Sequence, residues 1–282
     1  MTAILSFYSA YSSLILFSGV AALLALSIYV TLMAGQLSLG NAALATIGGY
    51  TAAILTRDHH VLLWVALLCG SAVATLVAII IGVPSLRLRG VYLALATLAF
   101  GEVVRVAALN LKITGGALGL VGIPALVTFW HVYGVLLVVG VCFYRLERSR
   151  VGRAFAAIRQ DEAAAQAMGI RVTSYKVLAF AIAGFLSGLA GGLSVHFTYV
   201  INPQQASFSE AVNILTYAVF GGTATFVGPI VGGMALTVLP ESLRILREYR
   251  LLLNGAILVL VTIYLPHGIT TPGLWRWWRA RE

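Results

Sequence analysis

The chain has 282 residues, of which 60% are hydrophobic and only 10% charged, and its mean hydropathy is +0.97. A soluble domain carries about 25% charged residues, so no soluble core could hide this much apolar surface and lipid must be the solvent for most of the chain. The net charge of +9 does not point to nucleic acid, because the basic residues fall in short stretches between apolar runs, as the positive-inside rule predicts.

An α-helical span needs roughly 20 apolar residues at 1.5 Å each. The first 56 residues carry no charged side chain, which predicts spans near 12–33 and 37–56 with a break around Gly35 and Gln36. No basic n-region precedes the first run, so a signal peptide is not expected. A polar tip follows at Arg57, Asp58, His59 and His60. The next span, 61–83, is expected to stop at Pro84 and the basic pair Arg87 and Arg89, and another covers 91–109. Residues 110–124 read as a Gly-rich polar loop, and 125–144 as a span whose Trp130, Tyr133 and Tyr144 suit a membrane interface. The one long hydrophilic segment is 145–176, followed by a span at 177–195, a charge-free stretch at 211–239 and a short run at 251–265 ended by Pro266. The expected fold is an all-α integral membrane protein, a polytopic bundle of about 8 transmembrane helices with broken or re-entrant segments.

Charge orients this bundle. The 145–176 segment carries Arg145, Arg148, Arg150, Arg153, Arg159, Arg171 and Lys176. It lies two spans from Arg87 and Arg89, so both stretches can be cytoplasmic, with 110–124 and its single Lys112 outside.

Two segments do not read as simple spans. As one helix, 211–239 would be roughly 43 Å long against about 30 Å of hydrocarbon, yet it is too short for two crossings. It holds Gly221 and Gly222, the step Gly228-Pro229, and Gly232 and Gly233, and a Gly-Pro step disfavours an uninterrupted helix. The other segment opens at Gly35 with Gln36, Ser38, Gly40 and Asn41 and continues through Gly48 and Gly49. Non-helical backbone at membrane depth survives only where protein buries it or where it lines a cavity. One such segment in each half is the pattern of a transport protein. On this reading Gln36, Ser38, Asn41 and the backbone at Gly221 and Gly222 border a translocation pathway. The ladder Gly184, Gly188, Gly192 is different: its four-residue spacing marks one helix face for close packing.

Catalytic constellations are missing from the sequence. Cys69 and Cys142 sit alone in apolar runs, adjacent His59 and His60 cannot share a helix face as a metal pair, and neither a P-loop nor a nucleophile motif occurs. No metal is expected, and any ATP hydrolysis must occur in another chain. Glu102 is the clearest intramembrane acid, and Arg105 one turn on is expected to pair with it. A stand-alone secondary transporter or channel for a small polar solute would need such an acid for ion coupling. Within 145–176, an Ala-rich helix is expected from Arg153 to Met168, stopped by Gly169. Its apolar pattern is weak: Ala154, Ile158, Ala165 and Met168 lie on one side, with Asp161 interrupting the stripe. It neither spans nor forms a strong lipid-facing stripe, so it reads equally as an element that docks a protein partner or as a solvated cytoplasmic loop held by basic anchors.

Several long blocks, in order, carry a resemblance: GQLSLGNAALATIGGY at 35–50, LRLRGVYLALATLAFGEVVR at 86–105, TGGALGLVGIP at 114–124, RSRVGRAFAAIRQDEAAAQAMGI at 148–170, YKVLAFAIAGFLSGLAGGL at 175–193 and VFGGTATFVGPIVGGMALTVLPESLR at 219–244. Together they cover most of the chain from residue 35 onward, and they resemble the permeases of branched-chain amino acid ABC importers, of the LivM type. The resemblance implies one permease domain over 1–282, a multi-pass subunit of the bacterial inner membrane that forms half of the pathway for branched-chain or related amino acids. It implies no enzyme activity and no cofactor on this chain, with ATP used by partners. Those partners would be a second, LivH-like permease, two LivG/LivF-like ATP-binding subunits and a periplasmic substrate-binding protein, besides membrane lipid. It also implies that 153–169 couples to the ATPases through Arg159, Asp161, Glu162, Ala164 and Gly169, as the EAA loop of such importers does. The spacing departs from the EAA-x-x-x-G pattern by one residue, because Met168 precedes Gly169.

Overall fold

The computed structural model describes residues 2–85, 88 and 90–242, and side chains from 13 to 239 within them. Arg87, Arg89 and the expected run at 251–265 lie outside the described residues. Among the described residues ten α-helices follow one another: α1 Thr2–Met33, α2 Asn41–Arg57, α3 Leu63–Ser85, α4 Val91–Asn110, α5 Phe129–Arg148, α6 Arg150–Gln160, α7 Glu162–Ala167, α8 Val172–Thr198, α9 Phe208–Gly221 and α10 Val227–Ser242. Five are long and apolar enough to cross a membrane: Ser13–Met33 of α1, then α3, α4, α5 and α8. The chain is an all-α polytopic membrane protein.

α1 and α8 form the enclosed centre of the bundle. α3, α4 and α5 surround it and turn large apolar side chains outward, among them Leu76, Ile80, Tyr92, Val103, Trp130 and Leu137. A soluble protein could not leave such faces bare, whereas lipid or a second membrane subunit covers them without penalty.

The centre is held by backbone contact. Lipid tails are as apolar as leucine, so helices associate in a bilayer through close packing rather than hydrophobic drive. The Gly184, Gly188, Gly192 ladder does this against α3. A Cβ on Gly188 would lie 2.7 Å from the Ala74 Cβ, and one on Gly192 2.6 Å from Leu67 Cδ2. Gly82 meets Phe180 on the same seam, so α3 and α8 are antiparallel. α2 joins them through Gly48, whose Cα side rests on Gly188 and whose carbonyl faces Gly70. Gly48 and Gly49, expected within the first broken segment, thus lie inside an unbroken helix and serve packing. The break itself is confined to 34–40.

The antiparallel α3 and α8 define two ends. The end of α3, the end of α5 and the start of α8 meet at a basic end with α6 and α7. At the opposite end the expected loop 110–124 forms two short 3-10 turns and the strand β1 (Leu120–Val121). β1 pairs antiparallel with β2 (Val200–Ile201), just past α8. The 145–176 and 110–124 segments are therefore at opposite ends of α8. Several boundaries differ from expectation: α2 starts at Asn41 rather than 37, α5 runs on to Arg148, and α8 covers Val172–Thr198 rather than 177–195. α3 continues through Pro84 to Ser85, and α5 starts at Phe129 because Thr128 and His131 form a capping box there.

The stretch 211–239 is not one kinked helix. α9 and α10 form a hairpin in which α10 doubles back: Gly221 packs on Gly228 and Gly232 faces the Tyr217 carbonyl. Only glycines allow the two backbones to approach so closely. α10 then runs against α1, with Gly233 on the Ala21–Ala22 backbone.

Candidate functional site

Gly35 begins the first break with φ +72, a left-handed conformation that ends α1 without the cost a side chain would add. Gln36, Ser38 and Asn41 follow and are 2%, 1% and 1% exposed, enclosed by this chain's own helices. The Asn41 amide donates to Ser27 Oγ at 2.8 Å, the Ser38 hydroxyl accepts from the Gly40 N–H at 3.3 Å, and the Leu39 N–H donates to Thr97 Oγ1 at 2.9 Å. Neither amide atom of Gln36, nor Oδ1 of Asn41, has a hydrogen-bond partner among the described residues. Burying unpaired amides is costly, so this break concentrates polarity that packing alone would not retain.

The second break, 222–226, joins α9 to α10. Gly221 and Gly222 are both buried, and Gly222 turns the chain with φ +98. Two charged side chains reach this connection from elsewhere. Arg159 on α6 donates to the Thr223 carbonyl at 3.1 Å and to Thr223 Oγ1 at 3.2 Å. Glu147, near the end of α5, accepts the Phe226 N–H at 2.7 Å and the Tyr29 hydroxyl at 2.6 Å, both on Oε1.

The basic end is built around α6 and α7. Ser149 caps α6 by accepting from the Val151 and Gly152 N–H groups, and α6 buries Ala154, Phe155 and Ile158. The single helix expected from Arg153 to Met168 is two helices. Asp161 is extended, and its carboxylate accepts from Ala163 and Ala164 N–H groups at 2.8 and 3.1 Å, starting α7. A carboxylate that can bond its own downstream N–H groups favours a new N-cap over continued helix. Glu162 pairs with Lys176 of α8, which is 6% exposed. Gly169 has φ +81 and ends α7, as expected. Of the residues expected on one side of that helix, Ala154, Ile158 and Ala165 are buried and Met168 is 83% exposed.

The structure therefore brings Arg159 to the second break, gives Asp161 and Ala164 to the α7 cap and ties Glu162 to α8. It also brings the two breaks together at α6, because Gly35 lies against the Arg159 backbone, where a Cβ would be 3.2 Å from Arg159 Cα. Sequence reading missed Glu147, Thr223 and the Lys176 pairing. Glu147 left one signal, as the single acid within the basic run 145–160. Glu102 pairs with Arg105 at 2.7 Å. Among the described residues no group of three or more His, Cys, Asp or Glu side chains could hold a metal.

Residues 10–262 match the family of the permease component of branched-chain amino acid transport systems. The chain is 33% identical to the high-affinity branched-chain amino acid transport system permease protein LivM of Salmonella typhimurium, over 84% of this chain and 64% of that protein. Its identity to the Escherichia coli LivM is 32% over the same shares. It is also 34% identical to the permease protein LivH of Salmonella typhimurium over 43% of this chain and 40% of the relative. The chain thus spans just under two thirds of the length of the LivM relatives that it matches. No solved structure matches it.

Proposed function

The chain belongs to the family of the permease component of branched-chain amino acid transport systems, and from that premise we propose that it forms half of the translocation pathway of a bacterial ABC importer. The positive-inside rule supports a cytoplasmic basic end, and the importer reading puts the chain in the bacterial inner membrane. A second, LivH-like permease completes the pathway. Two ATP-binding subunits dock on the basic end, and a periplasmic binding protein delivers the substrate at the opposite end. The substrate class is branched-chain or related amino acids.

The observation that carries this reading is the α6–α7 elbow. It is folded and capped, tied to α8 through Glu162 and Lys176, and bears the exposed apolar Met168. A solvated loop needs none of these features, whereas a partner that pushes on the bundle does. Closure of the ATPases moves the elbow and rocks the helices around the two breaks. The unpaired amide of Gln36 and the unpaired Oδ1 of Asn41 support a polar passage that opens at the α1–α2 break, beside the hairpin turn at Gly221 and Gly222. A stand-alone ion-coupled transporter needs an available intramembrane acid, and Glu102 is paired with Arg105.

Reconstitution in liposomes tests the proposal. With the second permease, the ATPases and the binding protein, the chain should support ATP-dependent uptake of labelled leucine, isoleucine or valine. Uptake by this chain alone under an ion gradient, with no response to ATP, would refute it.

A further inference from the structure

The turn between α9 and α10 exposes two helix ends with opposite partial charges. The last carbonyls of α9 carry the negative end of its dipole, and the first N–H groups of α10 carry the positive end. At each end the protein places the complementary charge, and it takes both from outside the hairpin. The Arg159 guanidinium of α6 sits on the Thr223 carbonyl just past α9, and the Glu147 carboxylate accepts the Phe226 N–H just before α10. Hydrogen bonds to charged groups are the strong ones, and Arg159 holds Thr223 through two donors.

The same two side chains join the rest of the molecule. Glu147 Oε1 also accepts the Tyr29 hydroxyl of α1, and the Arg159 backbone packs on Gly35, where α1 ends. A push on α6 therefore reaches both helix breaks directly. No flexible side chain intervenes at Gly35, where the contact is backbone to backbone.

We propose that Glu147 and Arg159 are positioning residues that clamp the α9–α10 turn to the elbow, so that movement of α6 is delivered to the hairpin and to the end of α1 as one unit. This rests on the importer reading for the source of the movement, but the clamp itself is a property of this chain. The paired placement separates it from ordinary loop bonding. Arg159 alone could be an exposed arginine that found a carbonyl. Together with Glu147 it neutralises both ends of one turn and reaches both breaks.

Two measurements test it. In the full chain in lipid nanodiscs, with Cys69 and Cys142 replaced by serine, spin labels at the exposed positions Ala156 on α6 and Ala224 in the turn report their separation. The parent protein should give one narrow distance distribution, and Arg159→Ala or Glu147→Gln should broaden it. Arg159→Lys, which keeps the charge but loses the forked donor, should fall between. In the complete importer, uptake per ATP hydrolysed should fall about tenfold in Arg159→Ala, the scale of one charged hydrogen bond, with Arg159→Lys again intermediate. A residue that only supported the fold would lower uptake and hydrolysis together and leave their ratio unchanged. An unchanged distance distribution in the variants overturns the clamp, and an unchanged ratio overturns its role in transmission. Absence of ATP-driven uptake by the parent importer overturns the functional reading and the transmission role with it, and the clamp is then decided by the distance measurement alone.

Discussion

Glu162 and Asp161 are neighbours with different work. Asp161 spends its carboxylate on local N–H groups, while Glu162 reaches a buried ammonium on another helix. An ion pair on a buried partner adds little net stability over apolar packing, but removing one member leaves the other uncompensated. Glu162→Ala should therefore destabilise the protein by about 2 kcal/mol, less than a fully enclosed pair would cost because Glu162 is itself partly exposed. Combining it with Lys176→Met should restore most of the loss. Thermal unfolding in detergent, with the single and double variants side by side, checks both. The sequence marked Glu162 as the acid of a coupling pattern but could not show its partner. Lys176 lies 14 residues away, and only the reversal of the chain between α7 and α8 brings them together.

At the scale of helices, glycine has two uses that look alike in the sequence. Gly35 and Gly222 have positive φ and end helices. Gly48, Gly70 and Gly188 lie within helices and remove side chains where three backbones meet. The four-residue ladder on α8 was legible because it needs only one helix and its periodicity. Gly48 was misassigned because its partners, Gly70 and Gly188, lie on other helices, and no local pattern separates a packing glycine from a breaking one. Gly188→Val should prevent α2, α3 and α8 from closing, with a loss of about 3 kcal/mol or more, since backbone on α3 leaves the added methyls no room to relax. Gly134→Val is the comparison: nothing lies within 4 Å of a Cβ there, and it should leave stability within about 0.5 kcal/mol. Steric-trap or denaturant unfolding of the two variants separates the cases.

For the whole molecule, alternating charge and hydropathy placed 145–176 and 110–124 on opposite sides, and the strand pair at the far end of α8 agrees. Single cysteines at Ala156 and Leu118 (both exposed), with Cys69 and Cys142 replaced, should react with an impermeant maleimide from opposite faces. In right-side-out vesicles the Leu118 position should label and the Ala156 position should not. Labelling of both from one side would overturn the orientation. What the sequence alone determined is what depends on solvent and local pattern: a lipid-embedded α-helical chain, its long spans, the separation of its basic segment from its glycine-rich loop, and the wrong length of 211–239. Solvent acts on each segment independently, so composition and spacing suffice. The tertiary structure decided the rest. It turned the broken stretch into a hairpin, split the helix expected from Arg153 to Met168 at Asp161, enclosed Gln36, Ser38 and Asn41, and brought Glu147 and Arg159 to a turn more than sixty residues away. Those outcomes rest on contacts between distant segments, whose formation depends on which backbones can approach and which charges then find a partner.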